Sequence, residues 1–201
     1  MFALLTKVTK MHIPIDITID LFDKLVLPIL LYGCEVWGCD NCDQIEVVYN
    51  KFLKRILKIN KYTPNCMVYG EAGKSPLKSI INSRMITFWN RLKVGKDTKY
   101  SFILLNVTEK FNDDDSNAFK SGWLIKIRDI LNLSGLGFIW LENTEIDTKS
   151  LKQIIELHNA DTYKQTWCSD VFNNSCCLNY RIFKTELVFE KYLIQLSLVI
   201  E

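Results

Sequence analysis

No apolar run in this 201-residue chain is long enough to cross a bilayer. The longest nearly uncharged one, Leu25 to Cys34, is about half of the roughly 20 residues that a spanning helix needs, so no membrane partner is expected. The N-terminal Met1-Phe-Ala-Leu-Leu-Thr-Lys7 lacks the longer apolar core and small-residue cleavage site of a secretory signal, which places the chain inside the cell, in cytoplasm or nucleus. Sustained apolar–polar alternation and any internal repeat period are also missing, which argues against sheets and solenoids. Histidine is scarce: His12 and His158 are the whole supply of imidazole for a metal or a nucleophile. The seven cysteines are an odd number with Cys176 and Cys177 adjacent, a poor disulfide framework that reads instead as reduced, buried thiols. Without a secretory route the sequons at Asn106, Asn132 and Asn173 are chance matches.

What is present is core material and an uneven charge. With 48% hydrophobic and 12% aromatic residues the chain can bury a substantial interior. Its net charge of +2 conceals a basic block, because Lys51 to Lys99 holds twelve Lys and Arg against Glu71 and Asp97, a surplus of ten that leaves −8 for the remainder. A block of that kind is either a surface facing a polyanion or a solvated lysine-rich helix face.

The periodicity predicts a mostly α, multi-helix bundle: a helical region to about residue 95 and a second helical region over 96–201. A first helix over 16–36 carries Ile19, Phe22, Leu25, Val26, Ile29 and Leu30, with Asp16 and Asp20 at its start and Pro28 bending or restarting it. Asp43 reads as the cap of the next helix. There Ile45, Val48, Tyr49, Phe52, Ile56 and Ile59 form an apolar face, while Lys51, Lys54, Arg55 and Lys58 form a basic stripe at i, i+3, i+4, i+7. Thr63-Pro64 and Ser75-Pro76 each signal a helix start, the first helix ending near Gly70 or Gly73 and the second running over 77–92 with Lys78, Arg84 and Arg91 beside its apolar stripe. Further helices are expected over 98–111, 119–133, 147–172 and 178–198, with a polar loop at 112–117 and a short strand or apolar connector at 135–141.

Three motifs invite chemical readings. Gly73-Lys74-Ser75 has the tail of a phosphate-binding P-loop, but position 68 is valine where that loop needs glycine, and helix rather than strand precedes it. Cys34, Cys39 and Cys42 give C-x4-C-x2-C, which supplies one zinc half-site and no fourth ligand; thiols lining a helix joint account for the same residues. Asp113-Asp-Asp115, among asparagines and a serine, reads as a solvated loop rather than a metal site. No metal or cofactor is therefore expected.

Four blocks in order then carry a resemblance: Leu27-Pro-Ile-Leu-Leu-Tyr-Gly-Cys-Glu-Val-Trp-Gly38, Phe52-Leu-Lys-Arg-Ile-Leu57, Thr63-Pro-Asn-Cys-Met-Val-Tyr-Gly-Glu-Ala-Gly-Lys-Ser-Pro-Leu77 and Arg84-Met-Ile-Thr-Phe-Trp89. In sequence and spacing they resemble the region after the palm in reverse transcriptases of non-LTR (LINE-type) retrotransposons of animals. The similarity continues through Trp123, Gly135 to Trp140, Trp167, Tyr180-Arg-Ile-Phe-Lys184 and Glu190-Lys-Tyr-Leu193. The resemblance implies a helical thumb and post-palm region that helps to hold a template–primer duplex beside a catalytic site upstream. The palm's aromatic-x-Asp-Asp motif is read as absent, as are the upstream endonuclease and the Cys/His segment of related elements, so a fragment without polymerase activity is expected. RNA or an RNA/DNA duplex is the implied partner, together with an upstream palm domain. Backbone contacts need cations, and the candidates are Lys51, Lys54, Arg55 and Lys58, extended by Lys61, Lys78, Arg84 and Arg91. Tyr32, Trp37, Phe88 and Trp89 fall on apolar faces and read as core rather than base-stacking platforms. The competing reading is a helical protein-interaction module, or a decayed element copy, without nucleic-acid binding.

Overall fold

The computed structural model describes residues 13–38, 42–94, 99–113, 121–141 and 146–193. The fold is mostly α, a multi-helix arrangement with no strand among the described residues. No helix among them is long and apolar enough to cross a membrane.

The first helix is one continuous spiral with a defect. It begins as α1 (Ile15–Leu21), widens to a π-turn over Phe22–Val26 and resumes as α2 (Leu27–Leu30) with Pro28 in its first turn. Proline has no N–H and its ring crowds the carbonyl four residues back, so an ordinary turn ahead of Pro28 would clash. The wider turn gives room and lets Leu27 N–H bond the carbonyl of Phe22 instead. After Tyr32 come α3 (Cys34–Trp37), α4 (Cys42–Ile56), α5 (Asn65–Ala72), α6 (Leu77–Val94) and α7 (Lys99–Asp113). Then follow α8 (Gly122–Leu133), α9 (Gly137–Leu141), α10 (Thr148–Asn173), a 3₁₀ turn at Ser175–Cys177 and α11 (Tyr180–Phe183).

Two compact units emerge, and both are discontinuous: Met1–Tyr32 with Asp43–Pro76 and Tyr163–Glu201, and Gly33–Cys42 with Leu77–Thr162. A single division near residue 95 was the sequence expectation. The chain interleaves instead, because α3 packs on α6 while the end of α10 and α11 pack beside α5.

In the first unit, Phe22 stacks on Phe52 at 3.7 Å between ring centroids, and Tyr49, Tyr69 and Tyr163 continue the aromatic series. Trp167, Val171 and Cys177 form a cluster against Cys66, Met67 and Tyr180, and the Trp167 indole N–H donates to Cys66 O at 2.7 Å. The helix expected to run to residue 198 stops at Phe183. Lys184, almost wholly buried, turns its ammonium onto Val188 O and the Glu190 carboxylate, and Glu190 N–H donates to Glu71 O, so residues 184–190 are held as a non-helical strap on α5, while 194–198 of the expected helix lie outside the described residues.

In the second unit α6 is central. Leu77, Ile81, Met85, Ile86 and Trp89 are buried on it, Trp89 stacking on Trp140 of α9 at 5.4 Å. Gly38 closes α3 against α6 so tightly that a β-carbon there would strike Ile81 and the backbone of Cys34. Residues 137–141, expected as strand or connector, form the short α9: Gly135 at φ +68° closes α8, with Leu136 N–H reaching back to Leu131 O, and the chain re-enters a helix at once.

Candidate nucleic-acid interface

α4 presents the expected two-sided character. Tyr49, Phe52 and Leu53 are buried, Ile45, Val48 and Ile56 are half-buried, and Lys51 and Arg55 are exposed. Asp43 sits in the first turn rather than capping it, since the helix begins at Cys42. Lys54 is half-buried. Its ammonium donates to Lys61 O at 3.0 Å, and burial lowers its pKa.

Lys58 departs from the expected stripe. The helix ends at Ile56, and Lys58 takes the left-handed conformation at φ 53°. Its N–H bonds Arg55 O while Ile59 N–H bonds Lys54 O, the paired contacts of a Schellman cap. The i+7 register of Lys58 is therefore lost, and the turn that removes it brings Lys61 back toward Lys54.

Between α4 and the following turn lies a groove of about 560 Å³. Lys51, Lys54, Arg55 and Lys61 line it together, so four of the candidate cations share one concave surface. Asp43, Glu46 and Asn50 also line it, with Val47 and Ile59 as apolar wall and Asn65 at the start of α5. Neither Lys51 nor Lys58 is in an ion pair among the described residues. The remaining candidates belong to the second unit: Lys78 and Arg91 are exposed on α6, and Arg84 is half-buried with its guanidinium beside the Cys34 thiol. Burial pushes that thiol's pKa up, and Arg84 only partly offsets it.

Gly73-Lys74-Ser75 is a helix end. Gly73 at φ +59° caps α5, Lys74 N–H bonds Tyr69 O, and the Lys74 ammonium pairs with Asp23 at 2.7 Å. A lysine held by a carboxylate at a helix C-terminus meets none of the phosphate-cradling geometry of a P-loop. Cys34 is buried and Cys42 donates its thiol proton to Gly38 O at 2.8 Å; Cys39 lies outside the described residues. No group of three or more His, Cys, Asp or Glu side chains is arranged to hold a metal ion among the described residues. The thiols are not uniformly buried as expected: Cys168 and Cys176 are exposed.

The bare string aromatic-x-Asp-Asp, overlooked in the sequence, does occur at Phe111-Asn-Asp-Asp114, downstream of the four resembling blocks. α7 ends at Asp113, and Asp114 and the rest of the acidic run lie outside the described residues, as do residues 114–117 of the expected loop. Of the four aromatics read as core, Trp89 is fully buried, Phe88 is half-buried edge-on to Trp123, and Trp37 is half-buried. Tyr32 is 84% exposed, because the helix breaks immediately before it and the 3.6-residue period no longer sets its direction.

Comparison with family models, with curated proteins and with solved structures returned no match.

Proposed function

We propose that this chain is a non-catalytic, nucleic-acid-binding helical module, related in kind to the thumb and post-palm region of LINE-type reverse transcriptases, that grips RNA or an RNA/DNA duplex by its phosphate backbone. The observation that supports it best is the groove along α4, where Lys51, Lys54, Arg55 and Lys61 converge while the opposite face is anchored by Phe52 and Leu53. Cations on a rigid, well-packed helix neutralise phosphates without reading bases, which gives affinity that depends on salt and not on sequence. The reading carries no polymerase, nuclease or nucleotide hydrolase activity of the chain's own, and it goes with an intracellular location. Four phosphate contacts on duplex give a slope of log K against log salt of roughly −3.6. Reversing Lys54 and Arg55 to Glu should weaken binding to all sequences alike and flatten that slope, with far-UV circular dichroism unchanged. Unchanged affinity and slope would leave the stripe as a solvated face.

A second reading rests on a different surface. Leu25, Ile29 and Tyr32 are exposed in the first unit, and Tyr100, Ile103, Leu104 and Val107 are exposed along α7 in the second. Apolar faces of this kind fit a protein-interaction module whose partner is a polymerase palm or a similar domain. Concentration-dependent self-association without salt-dependent nucleic-acid binding would favour it.

A further inference from the structure

The residues that line the α4 groove change in character along the helix, Asp43, Glu46 and Asn50 coming first and Lys51, Lys54 and Arg55 after them. Toward its wall, Asn50 is only 7% exposed; its side-chain N–H groups donate to Glu46 O at 3.1 Å and to the Tyr69 hydroxyl at 2.9 Å. The Tyr69 hydroxyl in turn donates to the Glu46 carboxylate. Those bonds fix which way the Asn50 amide faces and leave its Oδ1 buried with no hydrogen-bond partner. A buried acceptor without a donor is destabilising, and a ligand N–H would remove that cost. Toward the other end stand Lys54 and Lys61, followed by Asn65 at the N-terminus of α5, where Pro64 offers no side-chain cap to the first N–H groups. Four residues of helix separate Asn50 from Lys54, about 6 Å of rise, comparable with the sugar between a phosphate and its base. Val47, 50% exposed, and Ile59 supply apolar wall. The volume of about 560 Å³ is in the range of small-ligand sites.

We propose that the groove receives one unpaired nucleotide of the nucleic acid bound along α4, its phosphate toward Lys54, Lys61 and the start of α5 and a base N–H toward Asn50 Oδ1. The inference rests on the backbone-binding reading above and adds a preference that cations alone cannot produce. Phosphate contacts would serve a blunt duplex and an overhang equally, whereas a buried acceptor reached through an apolar-walled groove serves only a base that has left its pair.

The test is fluorescence anisotropy with a blunt duplex and with the same duplex carrying a three-nucleotide single-stranded end, in wild type, Val47→Trp and Asn50→Leu. Wild type should bind the overhang about tenfold more tightly, one hydrogen bond and one phosphate contact being enough for that factor. Val47→Trp fills the groove from an exposed position and should erase the preference, so that overhang and blunt duplex are bound equally; Asn50→Leu should do the same if its melting transition is retained. Equal binding of both duplexes by wild type, or a preference that survives Val47→Trp, overturns the inference and leaves the backbone reading standing. Binding to neither duplex overturns both, unless a 5′-mononucleotide alone binds saturably and is excluded by Val47→Trp, which would support a free nucleotide as the occupant. Displacement of the overhang by polyglutamate at equal charge concentration would mean that the groove takes any polyanion, an acidic peptide included, and overturns the nucleotide assignment.

Discussion

Lys58 and Gly73 end their helices in the same way, with the backbone turned left-handed and the next residue's N–H bonded five residues back, yet one position carries a side chain and the other none. For an L-residue with a β-carbon the left-handed region costs about 1–2 kcal/mol, so Lys58 is held there by its surroundings at the expense of local stability. Lys58→Gly is expected to stabilise the chain by about 1 kcal/mol, read as a higher denaturant midpoint with unchanged slope. Gly73→Ala should do the reverse and by more. Besides the φ of +59°, the new methyl would run into the backbone of Val188 and Phe189, which cannot yield without lifting the C-terminal strap off α5. A destabilisation of at least about 2 kcal/mol is expected from the two effects together. If Lys58→Gly is neutral or harmful, the cap described for α4 is wrong, and with it the position of Lys61 in the groove.

At the scale of elements, the helices with strong periodicity were legible in the sequence and those shaped by partners were not. α4 could be read because Tyr49 and Phe52 recur on one face while the cations recur on the other, and α5 and α6 because Pro64 and Pro76 mark their starts. What the pattern could not convey was where α4 stops. Lys58 has no residue-type signal for a left-handed turn, and the groove exists only because the chain reverses there and returns Lys61 to Lys54. Asn50, too, is unremarkable in sequence; its role comes from Tyr69, nineteen positions away, which uses both amide and carboxylate on α4. The strap after α11 was misread as helix because its apolar residues have helical spacing, while Lys184, the residue that holds it, looks like any surface lysine until its ammonium is seen on Glu190. The anchoring of α4 gives the check on this scale. Phe52 is fully buried against Phe22, and Phe52→Ala should cost about 3–5 kcal/mol in chemical denaturation, whereas Ile56→Ala, at a half-buried position, should cost clearly less. Equal costs would mean that the helix is rotated from the orientation that places Lys51 and Arg55 outward.

For the molecule as a whole, the uneven placement of buried phenols separates the two units by their response to alkali. Tyr49 and Tyr69, buried, and Tyr163 and Tyr180, half-buried, all belong to the first unit, and burial is the largest reason that each is pushed well above the ordinary tyrosine range, with neighbouring carboxylates adding to it: Asp23 and Glu46 for Tyr49, Glu46 for Tyr69, Asp170 for Tyr163, and Glu71 for Tyr180. A folded-state pKa raised above the unfolded value of about 10 means that the folded chain keeps protons which the unfolded chain releases. The stability these groups contribute is therefore intact below about pH 10 and is lost as pH rises beyond it. Counting only Tyr49 and Tyr69, at 2% and 4% exposure, the loss is about 2.7 kcal/mol for each pH unit. Against a net stability of about 5–15 kcal/mol this is enough to open the first unit within a few pH units of the phenol's ordinary value. The part of the tyrosinate absorbance that comes from these buried phenols should then rise together with the loss of far-UV circular dichroism above about pH 10, those phenols ionising because the unit unfolds and not before it. Tyr49→Phe removes one of the two phenols without touching the Tyr69, Asn50 and Glu46 bonds, and should reduce the slope of stability against pH by about 1.4 kcal/mol per unit. Ionisation of all the tyrosines near pH 10 with helicity unchanged would show that these hydroxyls reach water, and would remove the closed wall on which the Asn50 end of the α4 groove depends.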